Sequence, residues 1–134
     1  MDNKVEVQIK SLQTFQDFFY SGDEKFLYFL IILMCVDIIT GFAKAIKNEN
    51  LWSKRSFRGI AKKTLIFCII ILANVIDMIL NLNGALITLT VLYYIANEGV
   101  SIVENCAEMD VLVPEQIKEK LKVMNEDDKN DKEV

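Results

Sequence analysis

The chain has 134 residues, of which 52% are hydrophobic and 25% are charged. A chain of this length forms one domain, which excludes separate catalytic and regulatory domains. Because the formal net charge is −4, the chain lacks the basic surface that phosphate backbones require, and we expect no nucleic-acid partner.

Residues 1–25 form a polar and charged arm ahead of the first apolar segment. The arm lacks the basic start and apolar centre of a cleavable signal peptide, so we expect later segments to insert into the membrane. Leu12, Phe15, Phe18 and Phe19 recur near helical spacing within it. We predict that the arm is extracytoplasmic and that it lies along the membrane surface or packs against other helices.

Three apolar segments follow, at about residues 26–46, 64–82 and 85–103. At a rise of about 1.5 Å per residue, about 20 helical residues cross a hydrocarbon layer of about 30 Å. The alternative is a soluble bundle of apolar core helices, but so short a chain leaves too little polar sequence to cover three of them. The sequence therefore predicts an all-α membrane protein with three transmembrane helices, in a membrane domain of residues 26–125.

Short polar segments connect and follow the predicted spans. Asn-Leu-Asn-Gly at 81–84 is a turn sequence, so we predict that the second and third spans form an antiparallel hairpin. Pro114 favours a first helical turn, and the apolar residues after it predict a short C-terminal amphipathic helix. Its apolar face contains Ile117, Leu121 and Met124. Residues 126–134 are mostly charged and are predicted to form a disordered tail.

Basic residues are concentrated between the first two spans, where Glu49 is the only acid. Lys44 lies at the end of the first span. The basic residues that follow it are Lys47, Lys54, Arg55, Arg58, Lys62 and Lys63. Because short cytoplasmic loops are enriched in Lys and Arg, we predict that this loop is cytoplasmic. The N-terminus and the 81–84 turn then face outward, and the C-terminus is cytoplasmic.

Polar side chains interrupt all three predicted spans. An ionisable residue at the centre of a membrane helix costs about 2.5 to 3.5 kcal/mol, so each one requires a partner or water. Helical spacing places most of the polar residues of each span on one face. The candidates are Asp37, Gly41 and Lys44 in the first span, Asn74 and Asp77 in the second, and Asn97, Glu98, Ser101 and Asn105 in or just after the third.

Two interpretations of these polar faces are open. In the first, buried polar contacts hold a bundle together, and in the second, the faces line a water-filled lesion once several copies assemble. Helical rise places Asp37 and Glu98 at comparable depth. Lys44 is close enough to be a partner for a mid-membrane carboxylate. Gly41 and Ala45 form a pair of small residues that lets another helix approach closely.

No arrangement of residues indicates catalysis or a cofactor. The sequence contains no His, so a Ser/His/Asp or Cys/His set is excluded, and no glycine-rich phosphate loop is present. Cys35, Cys68 and Cys106 are scattered without paired spacing, which indicates neither a zinc site nor a disulfide framework. We expect these thiols to be buried in apolar helices and the protein not to be an enzyme.

Four ordered segments carry a family resemblance, which covers about Asp37 to Leu121. They read DIITGFAKAIKN, SKRSFRGIAKK, YYIANEGVSIVEN and LVPEQIKEKL. In this order and spacing they resemble the phage-lysis and toxin-secretion holin family of Gram-positive bacteria and their phages. The family motif positions carried over are Asp37, Gly41, Lys44, Gly59, Lys62, Asp77, Asn97, Glu98, Ser101, Glu104, Asn105 and Pro114. One departure is Met109-Asp110, where relatives often have Gly, so the turn after the third span is expected to differ.

The resemblance implies a protein that accumulates in the cytoplasmic membrane, forms homo-oligomers and opens large lesions. Such lesions release a phage endolysin to the cell wall or export a large toxin, and an antiholin is a further partner that the family suggests. We hypothesise that Asp37 and Glu98 face the interior of the oligomer. The alternatives are an antiholin, which inserts without permeabilising the membrane, and a small ion channel or transporter subunit.

Overall fold

The computed structural model describes residues 2–49 and 54–130, with side chains for residues 2–49 and 57–125. Within these residues the protein contains five helices and no strand. They are α1 (Asn3–Phe19), α2 (Glu24–Lys47), α3 (Lys54–Leu80), α4 (Ala85–Glu108) and α5 (Glu115–Asn130). The predicted all-α class is therefore confirmed.

Three of the helices are long and apolar enough to cross a membrane. They are α2, the Phe57–Leu80 part of α3, and α4, each with 24 residues. A helix of this length extends about 36 Å and exceeds a typical hydrocarbon thickness. Large apolar side chains such as Ile39 and Ile79 are exposed by 67% and 71% on the outer surface of the bundle. The protein is accordingly a multi-pass membrane protein with three spans.

The boundaries of the spans differ from our predictions. α3 begins at Lys54 rather than at 64, because the basic segment continues the apolar helix instead of forming a loop. Arg58, Lys62 and Lys63, which we predicted in a cytoplasmic loop, are therefore helical; Lys54 and Arg55 are also helical, although their side chains lie outside the described residues. α2 is longer than predicted by a few residues, and α4 continues to Glu108 rather than ending at 103.

A small apolar core holds the three spans together. It contains Leu30, Met34, Ile66, Ile70, Ala73, Ile87 and Val91. Within each helix these residues recur at spacings of three or four, so one face of each helix points inward. Apolar residues on the other faces point outward, which is the arrangement expected for helices in contact with lipid.

The turn at 81–84 joins α3 and α4 in the predicted antiparallel hairpin. Asn81, Asn83 and Gly84 have φ angles of 53°, 55° and 83°. Asn and Gly adopt this left-handed conformation with less strain than other residues. Three such residues in four positions reverse the chain between the two spans.

Helix α5 folds back onto α4. Its half-buried residues include Lys118, Leu121 and Met124, which share one helix face. The predicted C-terminal helix is therefore present, and its inward face includes two of the three predicted apolar residues, while Ile117 is 49% exposed. The helix continues to Asn130, into the 126–134 segment for which we predicted disorder. The side chains from residue 126 onward and residues 131–134 lie outside the described part.

The three cysteines are less buried than we predicted. Cys35 and Cys68 are exposed, and Cys106 is half-buried. Each of the first two lies in the middle of a span, where the faces that do not contact the core are free to contact lipid. The prediction of buried thiols was therefore wrong, because few faces of these helices are covered by protein.

Candidate intramembrane polar site

Lys63 connects carboxylates from two other spans. Its Nζ donates a hydrogen bond to Asp37 Oδ2 at 2.8 Å and a second one to the Glu98 carboxylate. Only 14% of the Lys63 side chain is exposed, against 13% for Asp37 and 8% for Glu98. We call Asp37, Lys63 and Glu98 the charge triad, because α2, α3 and α4 each contribute one of its members.

Asn105 completes the surroundings of Asp37. Its Nδ2 donates to Asp37 Oδ1 at 3.0 Å and to Thr40 Oγ1 at 3.1 Å, and the Thr40 hydroxyl donates to the Asp37 carbonyl at 3.1 Å. Both carboxylate oxygens of Asp37 therefore have a partner from a different helix. Among the described side chains, no buried nitrogen or oxygen lacks a hydrogen bond.

The depths of the two carboxylates match because α2 and α4 run parallel. Asp37 and Glu98 each occupy the fourteenth position of a 24-residue helix. Each therefore lies about 20 Å along its helix from the end near the 81–84 turn. This agrees with the comparable depth expected from the sequence. Counted by formal charge, the triad has two carboxylates and one ammonium group, which leaves one negative charge unbalanced.

Lys44 does not contact the charge triad, contrary to our prediction. Its Nζ pairs with Glu108 at 2.8 Å, and Lys47 pairs with Asp110 at 2.8 Å while donating to the Glu108 carbonyl at 2.8 Å. Lys44 is two turns beyond Asp37, so its side chain reaches the C-terminal end of α4 instead. Cations there also interact favourably with the negative end of the helix dipole.

Lys63 is the functional candidate that our sequence reasoning assigned to the wrong element. We placed it in the basic loop because of its charge. One signal in the sequence could have identified it: Lys63, Ile66 and Ile70 recur at spacings of three and four, and the latter two are core residues. This periodicity extends the inward face of α3 by one turn into the basic segment.

Gly41 lies where α2 and α4 approach each other. A Cβ atom there would lie 3.7 Å from Asn105 Nδ2. The small residue of the predicted Gly41 and Ala45 pair therefore faces another helix of the same protomer. This close approach brings Asn105 within reach of Asp37.

Asp77 is buried but lies at the end of α3 away from the charge triad. Its Oδ1 accepts from the Gly84 amide at 2.8 Å, and its Oδ2 accepts from the amides of Leu86 and Ile87 at 2.8 and 3.1 Å. These amides have no partner within their own helix because they lie at the start of α4. The carboxylate of one span therefore caps the next one and supports the hairpin.

Asn74 connects α3 to the end of α1 and to the segment between α1 and α2. Its Oδ1 accepts from the backbone amide and the hydroxyl of Ser21 at 2.9 and 2.8 Å. Its Nδ2 donates to the carbonyls of Asp17 and Phe18 at 2.9 and 3.0 Å. Asn74 on the predicted polar stripe of α3 thus binds groups at the end of α1 and in the connection that follows it.

The remaining predicted site residues do not belong to the charge triad. Asn97 and Ser101 are half-buried on α4, and Arg58 and Lys62 are exposed on α3. Within the described residues, no group of His, Cys, Asp or Glu side chains could hold a metal ion. The arrangement is therefore one of buried ion pairs that join three membrane helices.

Known proteins are similar to this chain over most of its length. Residues 14–126 match the bacteriophage holin family. A protein of Bacillus phage phi105 with the name "Probable holin" is 42% identical over 121 residues, which cover 90% of this chain and 89% of that protein. The Bacillus subtilis protein YqxH is 44% identical over 111 residues, covering 83% and 79% of the two chains.

A third relative comes from Clostridium perfringens. It is a 14.9 kDa protein encoded in the nagH 3′ region, 37% identical over 125 residues, with 92% of this chain and 94% of the relative covered. No solved structure matches this chain significantly. The match over residues 14–126 and the similarity to the phage phi105 protein show that the chain belongs to the bacteriophage holin family.

Proposed function

We propose that the protein is a holin that oligomerises in the cytoplasmic membrane and opens lesions through which an endolysin or a large toxin passes. The observation that carries the proposal is the charge triad, in a chain of the holin family with three spans. A single protomer keeps its mid-membrane charges paired and its apolar faces toward lipid. It can therefore accumulate without perturbing the bilayer.

Opening requires the same charged groups to exchange their partners for water. An isolated charge in hydrocarbon is costly, so the triad stays paired while each protomer is surrounded by lipid. Where several copies surround a water-filled space, Asp37 and Glu98 are hydrated without that cost. The unbalanced negative charge of the triad favours this exchange, because one Lys63 cannot fully neutralise two carboxylates. Asp37 and Glu98 then line the lesion.

We propose that the N-terminus faces outward and the C-terminus faces the cytoplasm. The exposed side chains of Arg58 and Lys62 lie at the same end of the bundle as Lys44 and Lys47. This end is the more basic one, which supports a cytoplasmic location. The turn at 81–84 carries no charged residue and lies at the opposite, outward end.

Timed expression in a bacterium that contains a cytoplasmic reporter enzyme tests the proposal. We expect the reporter enzyme to leave the cytoplasm abruptly after the protein has accumulated in the membrane. A membrane that stays sealed to the enzyme after full accumulation and after collapse of the proton-motive force would refute it. Passage of ions without the enzyme would identify a channel instead. Insertion without any leakage, together with delayed release by a co-expressed holin, would identify an antiholin.

A further inference from the structure

The apolar face of α1 is not buried by the rest of the described protein. Val5, Ile9, Leu12, Phe15 and Phe19 share this face, and their exposed fractions are 45%, 43%, 62%, 60% and 48%. No residue of α1 is buried. The opposite face carries mostly polar and charged side chains, with the exposed Val7 on it and Phe18 at its border. A 17-residue helix with one apolar face of this kind is amphipathic and requires an apolar partner.

The hydrogen bonds of Asn74 place the end of α1 near a membrane boundary. Asn74 is fully buried and binds the carbonyls of Asp17 and Phe18. It lies six residues before the end of α3 at Leu80, which corresponds to about 9 Å along the helix axis. Helices that lie in the interface of a bilayer insert their apolar face about 5–10 Å deep. The distance of Asn74 from the end of α3 therefore matches the insertion depth of an interfacial helix.

The exposed apolar surface continues from α1 into a span. Helix α2 begins at Glu24, a few residues after Phe19, and its first turns expose Tyr28 and Phe29 by 58% and 53%. Aromatic residues are enriched where membrane helices meet the lipid headgroups. The same lipid that surrounds the start of α2 is therefore adjacent to the apolar face of α1.

We propose that α1 lies in the bilayer interface at the end of the bundle that contains the 81–84 turn, with its apolar face in the lipid and Asn74 holding it at that depth. Residues 2–19 carry two basic and three acidic side chains, so anionic lipid offers no attraction. Binding results from burial of apolar surface. The proposal depends neither on which side of the membrane this end faces nor on the holin function.

Tryptophan fluorescence of the full chain in phosphatidylcholine vesicles tests the proposal. The single native tryptophan, Trp52, is replaced by Phe. Leu12→Trp then reports on the apolar face and Thr14→Trp on the opposite face, as the matched control. We expect the probe at 12 to emit at shorter wavelength and to lose most of its intensity to lipids brominated near the headgroup end of the acyl chains. The probe at 14 should keep its intensity, and adding phosphatidylglycerol should change neither signal.

Three outcomes would overturn the proposal. Equal quenching at 12 and 14 would mean that α1 does not turn its apolar face toward the lipid. A short-wavelength emission at 12 that brominated lipid does not quench would mean that protein covers the face, and dependence on the chain-to-lipid ratio would identify a second copy. Adding Asn74→Ala to the Leu12→Trp chain should weaken the quenching at 12, and undiminished quenching would exclude a positioning role for Asn74.

Discussion

Leu121 of α5 lies directly against Gly99 of α4. A Cβ atom at 99 would come within 2.7 Å of Leu121 Cδ2 and 3.5 Å of its Cδ1. The missing side chain of Gly99 therefore provides the space into which α5 docks. Glu98, a member of the charge triad, is adjacent to Gly99 in sequence. The docked helix therefore lies close to the depth at which the three spans form their ion pairs.

Replacing Gly99 by Ala should loosen α5. The leucine tip can rotate away, so we expect the lower end of the usual cost of overpacking, about 1 kcal/mol. This corresponds to about a fivefold faster hydrogen exchange of the α5 amides. Gly59→Ala is the matched control, since nothing lies within 4 Å of a Cβ atom at that position. Equal exchange of α5 in both variants would contradict a docking role for Gly99.

Replacing Lys63 by Met should destabilise the bundle. The change leaves two mostly buried carboxylates without their shared cation, and loss of one partner of a buried ion pair costs about 3 to 5 kcal/mol. Thermal unfolding in detergent, followed by circular dichroism, measures the effect. Lys62→Met is the control, because Lys62 is exposed and immediately precedes Lys63 in the same helix. If both variants unfold at the same temperature, the triad does not stabilise the protein.

Replacing Glu98 by Gln should delay permeabilisation without preventing insertion. The substitution removes the unbalanced negative charge and leaves Asp37 and Lys63 as a neutral pair, so the closed state is favoured. The onset of reporter release after timed expression measures the delay, at membrane protein levels matched by immunoblot. Glu104→Gln on the exposed side of α4 should leave the onset unchanged. An unchanged onset for Glu98→Gln would remove this residue from the mechanism.

Asp110 combines backbone strain with an ion pair in the turn after α4. Its φ angle is 60°, and the Val111 amide donates to the Cys106 carbonyl at 2.9 Å, as in a helix end that usually contains Gly. The turn therefore keeps the conformation that Gly favours, although Asp occupies the position. The hydrogen bond from Lys47 lowers the pKa of the Asp110 carboxyl below its usual value.

Asp110→Gly should relieve the strain and remove a pH dependence. Because the folded-state pKa is lowered, the ion pair stabilises the folded protein at neutral pH, and this contribution is lost as the pH falls below about 4. Thermal unfolding in detergent across this range should show a smaller acid destabilisation for Asp110→Gly than for the unsubstituted chain. Asn also tolerates this φ angle but carries no charge. Asp110→Asn should therefore show the smaller acid destabilisation without the gain from relieved strain. An unchanged acid response in both variants would exclude the ion pair as its source.

Some features of the fold follow from residue type and segment length alone. The three apolar runs and the Asn-Leu-Asn-Gly turn predict three spans and a hairpin, because spanning length and left-handed turn conformations are local requirements. The spacing of Ile117, Leu121 and Met124 likewise predicts a C-terminal amphipathic helix. None of these features depends on which helix lies next to which.

The partners of the charged residues required the tertiary structure. Lys63 and Lys44 are both basic residues near the same end of the bundle, and only the rotation of each helix about its axis decides which one reaches Asp37 and Glu98. The sequence by itself determined that mid-membrane carboxylates need a partner, because an unpaired charge in lipid is costly. The packing of α2 and α3 on α4 decided that Lys63 is that partner, because it turns the inward faces of the three helices toward one another at the depth of Asp37 and Glu98.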